Sequence, residues 1–206
     1  MARDGLLIDW GGVLTTDLFA SFASFFEQEG LETAQVRTLF RDDRDARRLL
    51  IDMETGAITE EEFEPRLAEA LGVAEHANLV DRMMAGAQPD PVMIAAVRAA
   101  KHAGVRTGLV SNSWGTRRYP RDLLAELFDG VVISGEEGTR KPDSRMYELG
   151  ARRIGLPPEA CVYVDDLPFN LEPAAALGMA TVHHVDAGTT VAELERLLGR
   201  ELRGPA

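Results

Sequence analysis

Leu6-Leu7-Ile8-Asp9-Trp10-Gly11-Gly12-Val13-Leu14-Thr15 is the stretch on which the fold turns. A short apolar run reads as a buried strand, and it stops on an aspartate followed by two glycines that permit a tight turn. In an open α/β sheet, ligands gather outside the carboxyl ends of the strands, which is where this pattern puts Asp9. An aspartate in that place also serves to cap a turn. Its meaning depends on what the rest of the chain brings beside it.

From about residue 89 onward, short apolar runs alternate with helical periodicities, as expected of βα units feeding a parallel sheet. The runs Val105 to Val110, Val131 to Ile133, Cys161 to Val164 and Ala180 to Val185 read as strands. Helical patterns separate them at 117–128, 144–154, 170–177 and 190–200. Asp90-Pro91 reads as an N-cap followed by proline at the first helical position, and Val92, Met93, Ala96, Val97 and Ala100 mark one apolar face. The residues between the first strand and this series have a helical texture. Thr59 and Glu62 make a capping-box pattern, Phe63, Leu67, Ala70 and Leu71 form an apolar face, and Gly72 closes it. The expected organisation is an α/β core of residues 1–15 and 89–206 with a helical insertion at 16–88.

Three further runs end in chemistry. Leu109-Val110-Ser111-Asn112 finishes a strand with a hydroxyl and an amide, Arg140-Lys141-Pro142-Asp143 sets a lysine before a helix, and Val162-Tyr163-Val164-Asp165-Asp166 ends on paired carboxylates. In type, order and spacing, Asp9, Ser111, Lys141 and Asp165-Asp166 resemble the four motifs of the haloacid dehalogenase superfamily, with Asn170 and Gly178-Met179 adding to the match. The resemblance spans the core from end to end. It implies a Rossmann-like parallel sheet carrying a small α-helical cap after the first motif. It further implies a hydrolase of phosphatase or phosphotransferase type acting on a small anionic substrate through an aspartyl-phosphate at Asp9. By the family pattern Mg²⁺ would be held by Asp9, the Gly11 carbonyl and Asp166, with Asp165 holding a coordinated water or Lys141. Ser111 and the Asn112 backbone would donate to the phosphoryl oxygens, and Lys141 would supply the remaining positive charge.

Gly11 departs from the phosphatase pattern. The resemblance places a second aspartate there, which protonates the leaving oxygen and then activates water. Such assistance is worth about 10²- to 10⁴-fold. Phosphonatases also have a small residue at this point but need a cap lysine, and the chain has only Lys101 and Lys141. Dehalogenases use no metal and do not keep the paired aspartates. The alternatives to a phosphatase are thus a dehalogenase-type C–halogen hydrolase or a catalytically impaired binding protein. Glu54, in the insertion, is the next candidate for the missing acid.

Composition bounds the partners. A net charge of −12 leaves no broad basic field for a nucleic-acid backbone. No apolar run reaches the ~20 residues of a membrane span, and no signal region is recognisable, so a cytoplasmic protein is expected. Cys161 lies within an apolar strand and reads as a buried thiol. Arg37, Arg41, Arg44 and Arg48 fall on one helical face, read as solvated because Asp42, Asp43 and Asp45 lace it. His183 and His184 are strand neighbours that point to opposite faces, which favours a structural role over a metal pair. Trp10 and Trp114 flank the first two motifs, where they could wall a pocket or pack the insertion against the core.

Overall fold

The computed structural model describes residues 2–202. The chain opens with β1 (Gly5–Ile8), then runs through five helices: α1 (Leu18–Gln28), α2 (Thr33–Asp42), α3 (Arg44–Glu54), α4 (Glu60–Leu71) and α5 (Leu79–Met84). After α6 (Pro91–His102) come β2 (Arg106–Ser111), α7 (Arg121–Leu127), β3 (Gly130–Ile133), α8 (Ser134–Glu137) and α9 (Ser144–Arg153). The chain finishes with β4 (Cys161–Asp165), α10 (Pro168–Ala176), β5 (Ala180–His183) and α11 (Ala187–Leu198). The strands form one sheet in the order β3-β2-β1-β4-β5, with every neighbouring pair parallel.

A parallel sheet is covered on both faces, so its strands are apolar throughout while alternate side chains go to different cores. Leu6, Ile8, Leu109, Val162 and Val164 join one cluster with residues of α6, α7 and α11. Leu7, Val110, Val132 and Tyr163 join the other, with residues of α9 and α10. The strand order reverses at β1: the chain builds outward through β2 and β3, then crosses to β4 and β5 on the other side. The carboxyl ends of β1, β2 and β4 therefore border the crevice that such a reversal opens.

Helices α1–α5 share an apolar cluster of their own, built on Phe25, Phe26, Leu49, Phe63, Leu67, Leu79 and Met83. The chain enters and leaves them side by side. Thr15 and Pro89 form an antiparallel bridge, Thr16 N–H donates to the Gln88 carbonyl (2.7 Å), and Asp90 N–H donates to the Leu14 carbonyl (2.9 Å). The capping box of α4 is formed by Thr59 and Glu62, and Gly72 ends that helix at φ 73°. None of the helices among the described residues is long and apolar enough to cross a membrane.

Three local expectations differ from the structure. The pattern at 117–128 is split into a 3₁₀ turn at Thr116–Arg118 and α7, because Pro120 drives Tyr119 into extended backbone (φ −82°, ψ 121°). The last strand stops at His183, opposite Asp165 where β4 ends, and the His184 N–H bond to the Asp165 carbonyl (2.9 Å) closes the ladder before Val185. The four arginines do not share a helix. Asp43 ends α2 and its side chain accepts from Asp45 and Ala46 N–H at 2.8 Å, starting α3 in a new direction with all four arginines exposed.

Asp90 caps α6 by accepting from Val92 and Met93 N–H (2.8 and 2.9 Å). Asp90→Ala is expected to cost about 1 kcal/mol. For a protein of this size that lowers the thermal unfolding midpoint by about 2–4 °C. Circular dichroism melts read this directly, and an unchanged midpoint would show that the cap contributes nothing.

Candidate active site

Asp9 follows β1 without a break, its N–H donating to the Val164 carbonyl (3.0 Å), so its side chain leaves from the sheet edge beside the end of β4. Trp10 N–H donates to Asp9 Oδ1 (2.7 Å), and Lys141 Nζ lies 2.8 Å from Asp9 Oδ2 and 2.7 Å from Asp165 Oδ2. Burial, together with Asp165, raises the Asp9 carboxyl to about 6 against the opposing pull of Lys141. Burial alone would push the Lys141 ammonium down, but the two carboxylates outweigh it and its pKa is raised.

Asp165 is completely buried, and its oxygens are fully engaged. Oδ2 takes Lys141 Nζ and the Tyr163 hydroxyl (2.5 Å), while Oδ1 takes Leu167 N–H (2.9 Å) and Asn170 Nδ2 (3.0 Å). A carboxylate offers about four lone-pair positions, and all are filled. Its pKa is lowered because Lys141 and these donors outweigh the effect of burial. Asp166 is different: burial, then Asp9 and Asp165, raise it to about 7. One carboxylate oxygen from each of Asp9, Asp165 and Asp166 lies within 4.8 Å of the other two. Gly12 makes room for them. It sits at φ 72°, and a Cβ there would stand 2.4 Å from Asp166 Oδ2.

Of the other residues read from the sequence, Ser111 and Asn112 line the same cavity as Asp9, Gly11, Lys141 and Asp166. The Ser111 hydroxyl is 2.8 Å from the Tyr119 hydroxyl. The side chain of Asn112 is committed elsewhere: it accepts from Lys141 N–H (2.8 Å) and donates to the Lys141 carbonyl (3.1 Å), fixing the loop that presents the lysine. These two bonds orient the amide toward that loop. His183 Nε2 contacts the Asp166 carbonyl (3.0 Å) and His184 Nδ1 the Thr190 hydroxyl (2.9 Å), so the two imidazoles make separate contacts.

The helical segment supplies the rest of the wall. Leu18, at the start of α1, occupies the space a side chain at position 11 would need: a Cβ on Gly11 would lie 2.5 Å from Leu18 Cδ1. Glu54, at the end of α3, is buried, accepts from Trp114 Nε1 (3.1 Å), and has Oε2 2.6 Å from Arg140 Nε. That ion pair is out of line for a hydrogen bond and leaves both atoms without one. Burial raises the Glu54 pKa, opposed by Arg140 and by Trp114. Arg117 and Arg118, after β2, both pair with Glu60 of α4 and Asp81 of α5. Trp114 stacks on Phe22 (5.2 Å between centroids), while Trp10 lies tilted against Tyr119 (5.8 Å). Leu18, Tyr119 and the Arg117–Arg118 pair carry no motif in the sequence. They act through contacts between distant segments, which periodicity does not encode.

Sheet reversal, an aspartate at the central strand end and a buried lysine between carboxylates together define a Rossmann-like fold with a charged site at its switch point. The sequence pattern of the haloacid dehalogenase-like hydrolases matches residues 4–178, and the chain belongs to that family. It is 34% identical over 115 residues to a sesquiterpene phosphatase of Aspergillus oryzae, covering 54% of this chain and 59% of that protein. It is 32% identical over 123 residues to a glyceraldehyde 3-phosphate phosphatase of Methanopyrus kandleri, covering 58% and 51%. The chain spans only 10–40% of the length of several larger curated relatives. In fold it is similar to a HAD family enzyme from Bacteroides thetaiotaomicron solved as a magnesium complex, with a TM-score of 0.73 at 21% identity, over 95% of this chain and all of that one.

Raised carboxyl pKa values mean that the folded, metal-free site disfavours ionisation, so stability is present while the groups stay protonated and is lost as pH rises toward the folded values. Asp166→Asn removes part of this penalty. The metal-free variant should melt higher than the parent at about pH 8, with the advantage narrowing toward about pH 5. An equal midpoint at both pH values would mean that Asp166 is not under electrostatic stress.

Proposed function

We propose that the chain is a Mg²⁺-dependent phosphatase, or phosphotransferase, that works through an aspartyl-phosphate at Asp9. The observation that carries this reading is the charge imbalance at the strand ends: three carboxylates gather around one ammonium, and two of them have pKa values raised to about 6 and about 7. Asp9 retains lone-pair positions beyond those taken by Trp10 and Lys141, Asp166 has none of its oxygens tied to a neighbouring residue's donor, and Gly11 offers its carbonyl; these three fit an oxygen-seeking divalent ion. Asp165 is the residue that holds Lys141 in place. Bound there, Mg²⁺ would supply the positive charge that lets an anionic carboxylate meet an anionic phosphoryl group. Both phosphatase relatives support a phosphate ester as the substrate, and since their organic groups differ they leave that part open.

The chain's own residues then do the following. An Asp9 oxygen bonds to phosphorus as the bond from phosphorus to the leaving oxygen breaks. Lys141 and Ser111 offset the charge on the transferring oxygens. Water then attacks the phosphorus of the aspartyl-phosphate, releasing phosphate and restoring the carboxylate. Asp9→Asn should abolish hydrolysis of p-nitrophenyl phosphate and acetyl phosphate while preserving the fold, and EDTA should do the same to the parent protein. Retained turnover in the variant sinks the nucleophile assignment. Full activity in EDTA removes the Mg²⁺ requirement, and 2-haloacids are then the substrates with which to test metal-free C–halogen hydrolysis.

With no side chain at Gly11 and Leu18 in its space, the leaving oxygen departs without a proton from that position. Aryl and acyl phosphates should therefore turn over faster than alkyl phosphates, with a burst as the aspartyl-phosphate outlasts its formation. Gly11→Asp together with Leu18→Ala should raise alkyl-phosphate turnover by about 10²-fold or more, as an acid–base group contributes, and shrink the burst. Rapid-quench kinetics measure both. If alkyl rates stay at background while the variant folds and binds Mg²⁺, the acid lies elsewhere. Glu54→Gln is then the variant to measure.

A further inference from the structure

The cavity over Asp9 measures about 520 Å³, within the range of about 300–1,000 Å³ common for small-molecule sites. Its floor and its walls differ in chemistry. The floor is the polar strand ends, with Asp9, Lys141 and Asp166. The walls are built largely from Trp10, Leu18, Phe19, Phe22, Trp114 and Phe169. Two of these, Phe19 and Phe169, keep 50% and 52% of their surface exposed, although such apolar side chains gain by burial. Some of the polar groups among the walls are already used. Arg118 is bound to Glu60, Asp81 and the Trp114 carbonyl. Thr15 Oγ1 accepts from Gly12 N–H and donates to the Thr16 carbonyl. Glu54 Oε2 and Arg140 Nε, by contrast, face each other at 2.6 Å, buried and without a hydrogen bond. Most of the wall surface is nevertheless aromatic or aliphatic and offers no hydrogen bond to the hydroxyls of a sugar.

We propose, on the basis of the phosphatase reading above, that this site selects phosphate esters of apolar organic groups, with the phosphate on the floor and the apolar group against the aromatic walls. Against those aromatic faces a polar group of similar size would surrender its hydration without finding partners. An apolar group would instead cover the exposed faces of Phe19 and Phe169.

The test uses n-alkylphosphonates, methyl- through octylphosphonate, whose C–P bond is not hydrolysed by this chemistry. They are titrated with Mg²⁺ present, both as competitive inhibitors of p-nitrophenyl phosphate hydrolysis and by tryptophan fluorescence, which needs no turnover. Binding should tighten roughly fourfold for each added methylene until the cavity is filled. 2-Aminoethylphosphonate should bind more weakly than propylphosphonate. Phe19→Ser should reduce the gain for the longer chains, and Phe22→Ala should reduce it along the whole series. Phe19 is half exposed, so its variant keeps the test valid if Phe22→Ala does not fold. A binding constant that does not change with chain length, or a chain-length gain unaltered in both variants, overturns the proposal. The two readings separate cleanly. Hydrolysis with a flat series removes the apolar selection and keeps the phosphatase. A steep fluorescence series without hydrolysis keeps the apolar selection and removes the phosphatase.

Discussion

A single buried ammonium organises the site. Lys141 is 1% exposed and stands between Asp9 and Asp165, at 2.8 and 2.7 Å. A charge so placed is tolerable only when paired and hydrogen-bonded, and removing one partner of such a pair costs about 3–5 kcal/mol. Each contact that keeps it there comes from a different part of the chain. β1 ends at Asp9, β4 supplies Asp165, β2 runs into Asn112 to clamp the lysine backbone, and the neighbouring Arg140 pairs with Glu54 of α3. Misplacing any of these segments would leave a buried charge without its partner. Tyr163 and Asn170 extend the requirement by holding Asp165 in the orientation that the ammonium needs.

What the sequence reveals follows from how each feature is encoded. β1, β2 and β4 are apolar runs that end in Asp9, Ser111 and Asp165, so both strand and functional residue are written in neighbouring positions. The caps of α4 and α6 are equally local. Asp43 was visible as an acidic residue, but whether it caps a new helix or decorates an old one depends on the packing of Leu49 and Met53 against Phe63 and its neighbours. The same holds for Asn112, whose amide is occupied by a loop nearly thirty positions away, and for Asp165, whose lone pairs are filled by donors from Lys141, Tyr163, Leu167 and Asn170. Motif spacing names these residues. Only the folded arrangement shows which of their atoms remain free.

The absent side chain at Gly11 takes on a different meaning beside Leu18. Read from the sequence, the glycine is a deletion of function. In the fold its place is filled by an apolar side chain from α1, so the nucleophile's turn is packed against the first helix of the segment above it. Position 11 thereby exchanges a polar group for a contact between the two layers. That exchange continues the character of the cavity, whose walls are largely aromatic and aliphatic.

The position of β1 has a further consequence, for the order in which the molecule assembles. It is the first strand made, yet it pairs with residues 106–109 on one side and 161–164 on the other. Contacts so distant in sequence form slowly, because the intervening chain must lose its freedom before they reward it. During synthesis, Leu6, Leu7 and Ile8 have no sheet to enter until β2 has emerged, and an unpaired apolar strand is prone to aggregate. The helices α1–α5 form their own cluster, and the Thr15–Pro89 bridge holds their two ends together. Condensing that segment first shortens the loop β1 must close. The helices above the site thus double as a spacer: packed together, they bring the strand that carries the nucleophile within reach of its sheet partners.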